Sequence, residues 1–309
     1  MSSKTPSLER IREPGNPENL ARDFNTLKPR GPRDPQGGAA FPHANAAKAK
    51  FKDAYDLETP ALYLSELGAL DYRIPDEAAE PIRRLVNEIA RKPSQNPPTV
   101  LDLGCSYGIN AAILKQRTSF RALWERYVGR EGEPRRLAVQ KDREFFGAQA
   151  RADQPRVIGL DVAQNAVNYA IDSGLLDAGI TANLEVGPLS SSDASLLADV
   201  DLIMSTGCVG YVTEATFERV LQPLQRSRKR PLVASFVLRM FPYAGIQRLL
   251  DRYGYTTERV PGVFRQRRFK NDNERKDVFR ALHGLGLNPD DAERDGYLHA
   301  ELFISRAHG

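Results

Sequence analysis

The sequence predicts an α/β fold in which a doubly wound, mostly parallel sheet follows an N-terminal helical cap. From Thr99 onward, short apolar runs alternate with segments of helical spacing. These runs are continuously hydrophobic, as in strands that are buried on both faces of a sheet. One of them, "VLDL", ends in the glycine-containing turn "GCSYG", which leads into a helical pattern. Together these observations favour a parallel sheet covered by helices.

The chain divides into two parts before the sheet begins. Residues 1–42 contain seven of the 21 prolines and the glycine pair 37–38, a composition that favours an extended arm. Residues 43–97 predict helices in "HANAAKAKFKDAYD", "TPALYLSEL" and "PDEAAEPIRRLVNEIARK". We interpret this second part as a cap or lid over the sheet domain.

Residues 98–309 predict the sheet domain itself. The predicted strands are, in order, "TVLDL", "RVIGLD", "ANLEV", "DVDLIMS", "PLVASFVL", "TTERV" and "HAELFIS". In dinucleotide-type folds an acidic residue ends the second strand about 20 residues after the glycine turn. Asp161 lies much farther than that from Gly104. The sequence therefore predicts a helical insertion at about residues 118–154, and the basic run "RQRRFK" predicts a solvated face.

Composition limits the classes of partner. The 44 Lys and Arg residues and 40 Asp and Glu residues give a net charge of only +4, which disfavours nucleic acid. Two cysteines provide neither a disulfide framework nor a cysteine-rich metal site, and they fit a reducing cytoplasm. No apolar run approaches the length of a membrane span. We expect a cytoplasmic protein with a small-molecule substrate and without a nucleic acid, membrane or metal partner. The sequence does not determine the oligomeric state, and a homodimer is one of the options.

The glycine turn indicates the type of ligand. A strand that passes through such a turn into a helix presents backbone N–H groups at the carboxyl edge of the sheet. Gly104 would permit the tight turn, and a β-carbon at Gly104 or Gly108 would obstruct the approach of a ligand. The carboxylate of Asp102 disfavours a pyrophosphate, because like charges repel at this position. S-adenosylmethionine (SAM) fits better, since it carries an ammonium and a sulfonium and no phosphate.

The stretch "LDLGCSYG" resembles the first motif of class I SAM-dependent methyltransferases, an acidic residue followed by glycine-x-glycine-x-glycine, with Ser106 at the middle glycine. The stretch "VIGLDVAQNAVNYA" is similar to the second motif, and Asp161 matches its ribose-binding acid. The resemblance implies a Rossmann-like, seven-stranded sheet whose last strand is antiparallel near the edge, with SAM as cofactor. The cofactor-binding residues that we assign on this basis are Asp102, Gly104, Ser106, Tyr107, Gly108, Asn110, Asp161, Val162, Ser190, Ser205, Thr206 and Gly207.

The reaction centre is expected at the end of the fourth strand, "IMSTGCVGY", which faces the methionine half of SAM in this topology. Ser205, Cys208 and Tyr211 are the catalytic candidates there. Substrate-binding candidates are three tyrosines of the cap and an arginine after the fifth strand, namely Tyr55, Tyr63, Tyr72 and Arg239. No histidine is expected near these strand ends, so positioning is expected to supply most of the catalysis.

The resemblance implies a methyltransferase that acts on a small molecule at oxygen, nitrogen or carbon. Two alternatives stay open. One is a cyclase or lyase of the same fold that consumes SAM and releases methylthioadenosine, as in azetidine-2-carboxylate formation. The other is a SAM-binding module without catalysis, since a fold does not establish an activity.

Overall fold

The computed structural model describes residues 52–91, 96–116, 118–150, 153–227 and 229–308. The predicted arm and most of the first predicted cap helix lie outside these residues. The helices are α1 (Lys52–Tyr55), α2 (Ala61–Ala69), α3 (Ile74–Ala90), α4 (Ile109–Lys115), α5 (Phe120–Tyr127), α6 (Arg135–Ala148), α7 (Gln164–Asp172), α8 (Ser191–Leu196), α9 (Glu214–Arg226), α10 (Ala244–Arg252) and α11 (Asp272–Gly284). The strands are β1 (Thr99–Leu103), β2 (Arg156–Asp161), β3 (Ala178–Thr181), β4 (Leu202–Thr206), β5 (Leu232–Leu238), β6 (Tyr255–Arg259), β7 (Phe264–Arg268) and β8 (Tyr297–Ala307).

The strands form one sheet in the order β3-β2-β1-β4-β5-β8-β6, and β7 also pairs with β8. The first five strands in this order are mutually parallel, whereas β8 runs antiparallel to β5, β6 and β7. The predicted Rossmann-like, doubly wound fold is therefore confirmed, including the antiparallel last strand near one edge.

An eighth strand departs from the seven that the sequence predicts. Strand β7 contains most of "RQRRFK", and the prediction that this run is a solvated face was wrong in part. Arg267 is buried, because its guanidinium donates to both carboxylate oxygens of Glu274 at 2.9 and 2.7 Å. Gln266 is also buried. The pairing of Phe264 with Ala300 places β7 beside the start of β8, where Ala300 also pairs with Leu238 at the carboxyl end of β5.

The third strand lies earlier in the chain than predicted. It is Ala178–Thr181, and the predicted segment "ANLEV" forms a turn instead. The side-chain oxygen of Asn183 accepts the backbone N–H of Glu185, which stabilises the turn. The carboxylate of Glu185 accepts the backbone N–H of Thr213 at 2.9 Å and holds the turn beside the start of α9.

The core lies on both faces of the sheet. Every residue of β1 is buried, as the continuous apolar pattern predicts. On one face α9 and α10 cover a cluster that includes Leu101 and Ile203. On the other face α3 covers Val100 and Met204, with Ile74 and Ile82 fully buried. None of the described helices is long and apolar enough to cross a membrane.

Helices α5 and α6 occupy the chain between α4 and β2, where the insertion is predicted. A buried acid attaches them to the sheet domain. Asp142 is 0% exposed and accepts hydrogen bonds from the hydroxyls of Tyr127 and Tyr169 and from the guanidinium of Arg126. Because Tyr169 belongs to α7, this network joins the insertion to the second βα unit. Both phenols stay protonated, since burial raises their pKa values above the usual value.

Besides the packing of α3 on the sheet, two further contacts attach the cap to the sheet domain. Helix α2 packs on the insertion so closely that a β-carbon at Gly68 would lie 2.4 Å from the ring of Trp124. The turn between α2 and α3 is bound to β7 by two backbone hydrogen bonds. The N–H of Arg73 donates to the oxygen of Gln266 at 2.6 Å, and the N–H of Arg268 donates to the oxygen of Leu70 at 2.7 Å.

Candidate functional site

The glycine turn after β1 adopts three left-handed backbone conformations. Gly104 has φ +72°, Ser106 has φ +48° and Gly108 has φ +76°. A β-carbon at Gly104 would lie 2.7 Å from the β-carbon of Cys208, and one at Gly108 would lie 3.1 Å from that of Ala170. The glycines thus permit the turn, as predicted. Contacts with Cys208 and Ala170 thus exclude a side chain at both positions, in addition to the backbone conformation.

Asp161 at the end of β2 is buried against this turn. Its Oδ2 accepts the backbone N–H of Ser106 at 2.9 Å and the hydroxyl of Tyr55 at 2.7 Å. Its Oδ1 accepts the backbone N–H of Ala163 at 3.0 Å. The two amide donors fix the carboxylate beside the turn, and the third donor comes from the cap.

Asp102 lies at the same edge of the sheet and is 0% exposed. The side-chain amide of Asn110 donates to its two oxygens at 3.1 and 3.2 Å and to Oγ1 of Thr206 at 2.9 Å. Within the part of the chain that the structure describes, no Lys, Arg or His forms an ion pair with Asp102. Burial raises the pKa of Asp102 from its usual 3.8 to about 7, although the Asn110 hydrogen bonds lower it. Charging this carboxyl is therefore unfavourable in the free protein.

Tyrosines of the cap cover the glycine turn. The ring of Tyr63 lies 5.5 Å from that of Tyr55 and 5.5 Å from that of Tyr107, centre to centre. The hydroxyl of Tyr107 donates to the backbone oxygen of Leu57 at 2.8 Å, which ties the turn to the cap. Tyr72 packs edge-on against Phe120 at 5.1 Å. Burial raises the pKa values of Tyr55, Tyr63 and Tyr72, so these phenols remain neutral.

The last two residues of β4, Ser205 and Thr206, point to opposite faces of the sheet. Successive side chains of a strand point to opposite faces. Thr206 lies on the face of Asp102, whereas Ser205 is paired with Leu103 on the other face and is 1% exposed. Ser205 was expected at the reaction centre, but the sheet directs its hydroxyl away from Asp102. Cys208 contacts Gly104, as described above, and Tyr211 is 45% exposed.

Arg239 was predicted to bind substrate, and the structure contradicts this. It is buried, and its guanidinium forms an ion pair with Glu293, which is 2% exposed. Burial nevertheless raises the pKa of Glu293 to about 7. Because a buried charge needs a partner inside the protein, this ion pair is a structural element that joins the end of β5 to the segment before β8.

The two remaining cofactor candidates lie on the side of β2 and β3. Val162 is 58% exposed immediately after Asp161, so an apolar side chain faces solvent beside the carboxylate. Ser190 is the N-cap residue of α8, because its hydroxyl accepts the N–H of Asp193 at 3.1 Å and donates to the Asp193 carboxylate at 2.7 Å. Its hydroxyl is thus already engaged in the helix start.

Gln266 was missed in the sequence, where it is hidden within a basic run. It lies at a β-bulge of β7, since the pairing with β8 shifts between Arg265 and Arg267. Its side-chain amide covers Gly207, where a β-carbon would lie 2.3 Å from Nε2. Its Oε1 is buried and has no hydrogen-bond partner among the described residues. Within residues 52–308, outside the gaps, no group of three or more metal-ligating side chains comes together.

Comparisons with known proteins give similarities of fold at low identity. No protein-family model matches the chain, and no curated protein matches it. Among solved structures, a TehB-like SAM-dependent methyltransferase from Corynebacterium glutamicum is 16% identical, with a TM-score of 0.36, over 84% of this chain and 97% of that chain. The plantazolicin methyltransferase BpumL, in complex with S-adenosylhomocysteine (SAH) and a substrate analogue, is 12% identical with a TM-score of 0.37, over 87% and 96%.

The [4+2]-cyclase SpnF is 14% identical with a TM-score of 0.36, over 73% of this chain and 81% of that chain. Because all three TM-scores are below 0.5, we base the functional assignment on the site's own geometry.

Proposed function

We propose that this protein is a SAM-dependent methyltransferase that acts on a small molecule. The observation that carries the proposal is Asp102, a fully buried carboxyl group with no cationic partner among the described residues. A buried carboxylate is stable only when it is paired or protonated. The ammonium of SAM would supply the missing positive charge at the carboxyl edge of the sheet, where ligands bind in open α/β folds.

Asp161 fits the nucleoside end of the same ligand. The hydroxyl of Tyr55 already donates to its Oδ2, so this carboxylate accepts a hydroxyl donor from outside the turn. A ribose hydroxyl would make the same hydrogen bond in place of Tyr55. Exposed Val162, the next residue, offers an apolar contact to the flat base. The ribose-binding role that the second motif implies for Asp161 thus agrees with the hydrogen bond that its carboxylate accepts from a hydroxyl.

The chain's own contribution to catalysis is to bind, orient and exclude water. Bound SAM supplies a methyl group that its positively charged sulfur already activates. Asp102, Asp161 and Ser106 are each less than 5% exposed, so the cap removes water from this edge of the sheet. Neutral tyrosine rings present π faces that attract a cation without a competing charge. Orientation in a dry site can account for about 7–11 kcal/mol of a barrier.

A second candidate function is cyclisation or lyase chemistry on SAM itself. The closed cap favours it, since a reaction within one molecule needs no entry for a second substrate. Asp102 also favours it, because a buried carboxylate held beside the amino group can act as the base that removes its proton. Such a reaction would release methylthioadenosine, whereas methyl transfer would release SAH.

The test is incubation of the full chain with SAM alone, and with a mixture of small metabolites, followed by mass spectrometry. Conversion to SAH only with the metabolites supports methyl transfer, and methylthioadenosine without them selects the second candidate. In parallel, the affinity for SAH is measured by calorimetry for Asp161→Ala and for Asp199→Ala, a control at an exposed residue. Loss of affinity in the first variant alone is expected. Wild-type protein that binds neither SAM nor SAH would overturn the proposal.

A further inference from the structure

Gln266 is placed at the candidate site by an irregularity of the sheet. At a β-bulge one strand has an extra residue, and bulges next to binding sites redirect a side chain. In β7 the pairs Arg265–His299 and Arg267–Leu298 leave Gln266 without a partner on β8. Its backbone oxygen accepts the N–H of Arg73 instead, so the cap turn fixes its position from the other side.

The side chain of Gln266 reaches the end of β4. The 2.3 Å between Nε2 and a β-carbon built on Gly207 means that the amide lies directly over this residue. Gly207 has φ +81°, and its N–H donates to the oxygen of Phe236 at 2.9 Å, which fixes the backbone beneath the amide. Thr206, the preceding residue, is joined to Asp102 through the amide of Asn110. Gln266 and Asp102 are therefore connected at this edge of the sheet through Gly207, Thr206 and Asn110.

The oxygen of the amide is an unused acceptor. Gln266 is 8% exposed, and its Oε1 has no hydrogen-bond partner in the described part of the chain. An acceptor that is buried without a partner is unfavourable, and such groups in native proteins call for an explanation. Among the described residues, Asp102 likewise has only the amide of Asn110 as a hydrogen-bond donor for its two oxygens. A ligand group that donates several N–H bonds and carries a positive charge would satisfy both.

We propose that Gln266 is a ligand-binding residue whose Oε1 accepts an N–H from the ammonium at the amino-acid end of the bound nucleoside, with Asp102 supplying the countercharge. This inference rests on the proposed function, because it takes SAM and SAH as the ligands. An ammonium has three donors and no acceptor, so it matches an amide oxygen and a carboxylate at the same time. The amide would therefore favour nucleosides that carry the amino-acid end over nucleosides that lack it.

The test compares SAH with methylthioadenosine, which has the same nucleoside and no amino acid. Calorimetry is carried out on the wild type, on Gln266→Met, which keeps the length and removes the amide, and on Gln266→Glu, which keeps an acceptor oxygen. We expect Gln266→Met to weaken SAH binding by about 10- to 100-fold, as for a hydrogen bond to a charged group. Its affinity for methylthioadenosine should stay within twofold. Gln266→Glu should retain the preference for SAH.

Other outcomes overturn the inference. Equal losses for both ligands in Gln266→Met would assign the residue to the support of the sheet, and no loss for either would exclude it from the ligand site. Thermal unfolding of each variant separates binding from folding, and Gln266→Ser is the second variant if Gln266→Met does not fold. If the wild type binds neither ligand, the proposed function fails first. If it binds both and Gln266→Met does not change their ratio, only the inference on Gln266 fails.

Discussion

Replacing Asp102 with asparagine should stabilise the ligand-free protein while weakening its binding of SAH. The carboxyl is 0% exposed, and burial raises its pKa from 3.8 to about 7. A shift of about three units at 1.36 kcal/mol each makes the ionised form about 4 kcal/mol less favourable in the folded protein. Asparagine has the same shape and no charge. It can accept from Asn110 with one oxygen instead of two, which lowers the gain by about 1 kcal/mol.

The effect depends on pH with a definite sign. Because the pKa of Asp102 is higher in the folded state, the folded protein holds one more proton than the unfolded chain between about pH 4 and pH 7. Its contribution to the free energy of unfolding therefore falls as the pH rises through this window, and it is constant above it. Asp102→Asn lacks this slope. The gain in stability of about 3 kcal/mol should be complete at pH 8 and absent near pH 4.

Urea denaturation followed by circular dichroism at pH 5 and pH 8 measures the gain in unfolding free energy and its dependence on pH. The matched control is Asp161→Asn, in which the carboxylate accepts two backbone N–H groups and the Tyr55 hydroxyl. That variant should be destabilised, since an asparagine oxygen cannot replace both carboxylate oxygens. Calorimetry with SAH should show a loss of at least about tenfold for Asp102→Asn, as expected when a charged hydrogen bond is removed. Destabilisation of both variants to the same extent at pH 8 would refute the reasoning.

Three further substitutions test other parts of the structure. Tyr55→Phe removes the hydroxyl that competes for Oδ2 of Asp161, so we expect SAH to bind about threefold to tenfold tighter by calorimetry and the free protein to lose about 1 kcal/mol. Asp142→Asn breaks a buried network with two tyrosines and Arg126, so urea denaturation should show a loss of about 3–5 kcal/mol. Arg239→Met leaves Glu293 without its cation, so it should lower the unfolding free energy by about 3 kcal/mol, with affinity for SAH within twofold. A weaker affinity without a loss of stability would restore the predicted substrate role of Arg239.

The parallel part of the fold could be predicted because its strands are buried on both faces. Continuous apolar runs such as "TVLDL" and "PLVASFVL" are typical of such strands, and the glycine turn marks the carboxyl edge. Asp102 and Asp161 follow from the same logic, since the carboxyl ends of β1 and β2 lie at one edge of the sheet. Their partners could not be predicted. Tyr55 and Asp161 are far apart in the sequence, and only the folded cap brings the hydroxyl to the carboxylate.

The errors have particular physical causes. Strand β3 contains Gly179 under Val167 and Ile171, so close packing of a helix replaces the apolar side chain that would have revealed a strand. The segment after it is apolar enough to suggest a strand, but Asn183 turns the chain there. Arg239 follows β5 at the carboxyl edge of the sheet, as expected, but no nearby residue in the sequence indicates that Glu293 forms an ion pair with it. A single-residue bulge, which places Gln266, leaves no trace in a run with arginine at positions 265, 267 and 268.

The buried acids of the described residues show why we propose the edge near the glycine turn as the ligand site. Five are buried, and those outside the site have cations: Asp142 pairs with Arg126, Glu274 with Arg267 and Glu293 with Arg239. Asp102 and Asp161 have none in the described residues and rely on neutral donors. Two uncompensated carboxyl groups disfavour a phosphate and favour a cationic ligand. The same edge contains Oε1 of Gln266, which has no hydrogen-bond partner among the described residues, so two unsatisfied acceptors of the free protein lie where a positively charged nucleoside would satisfy them.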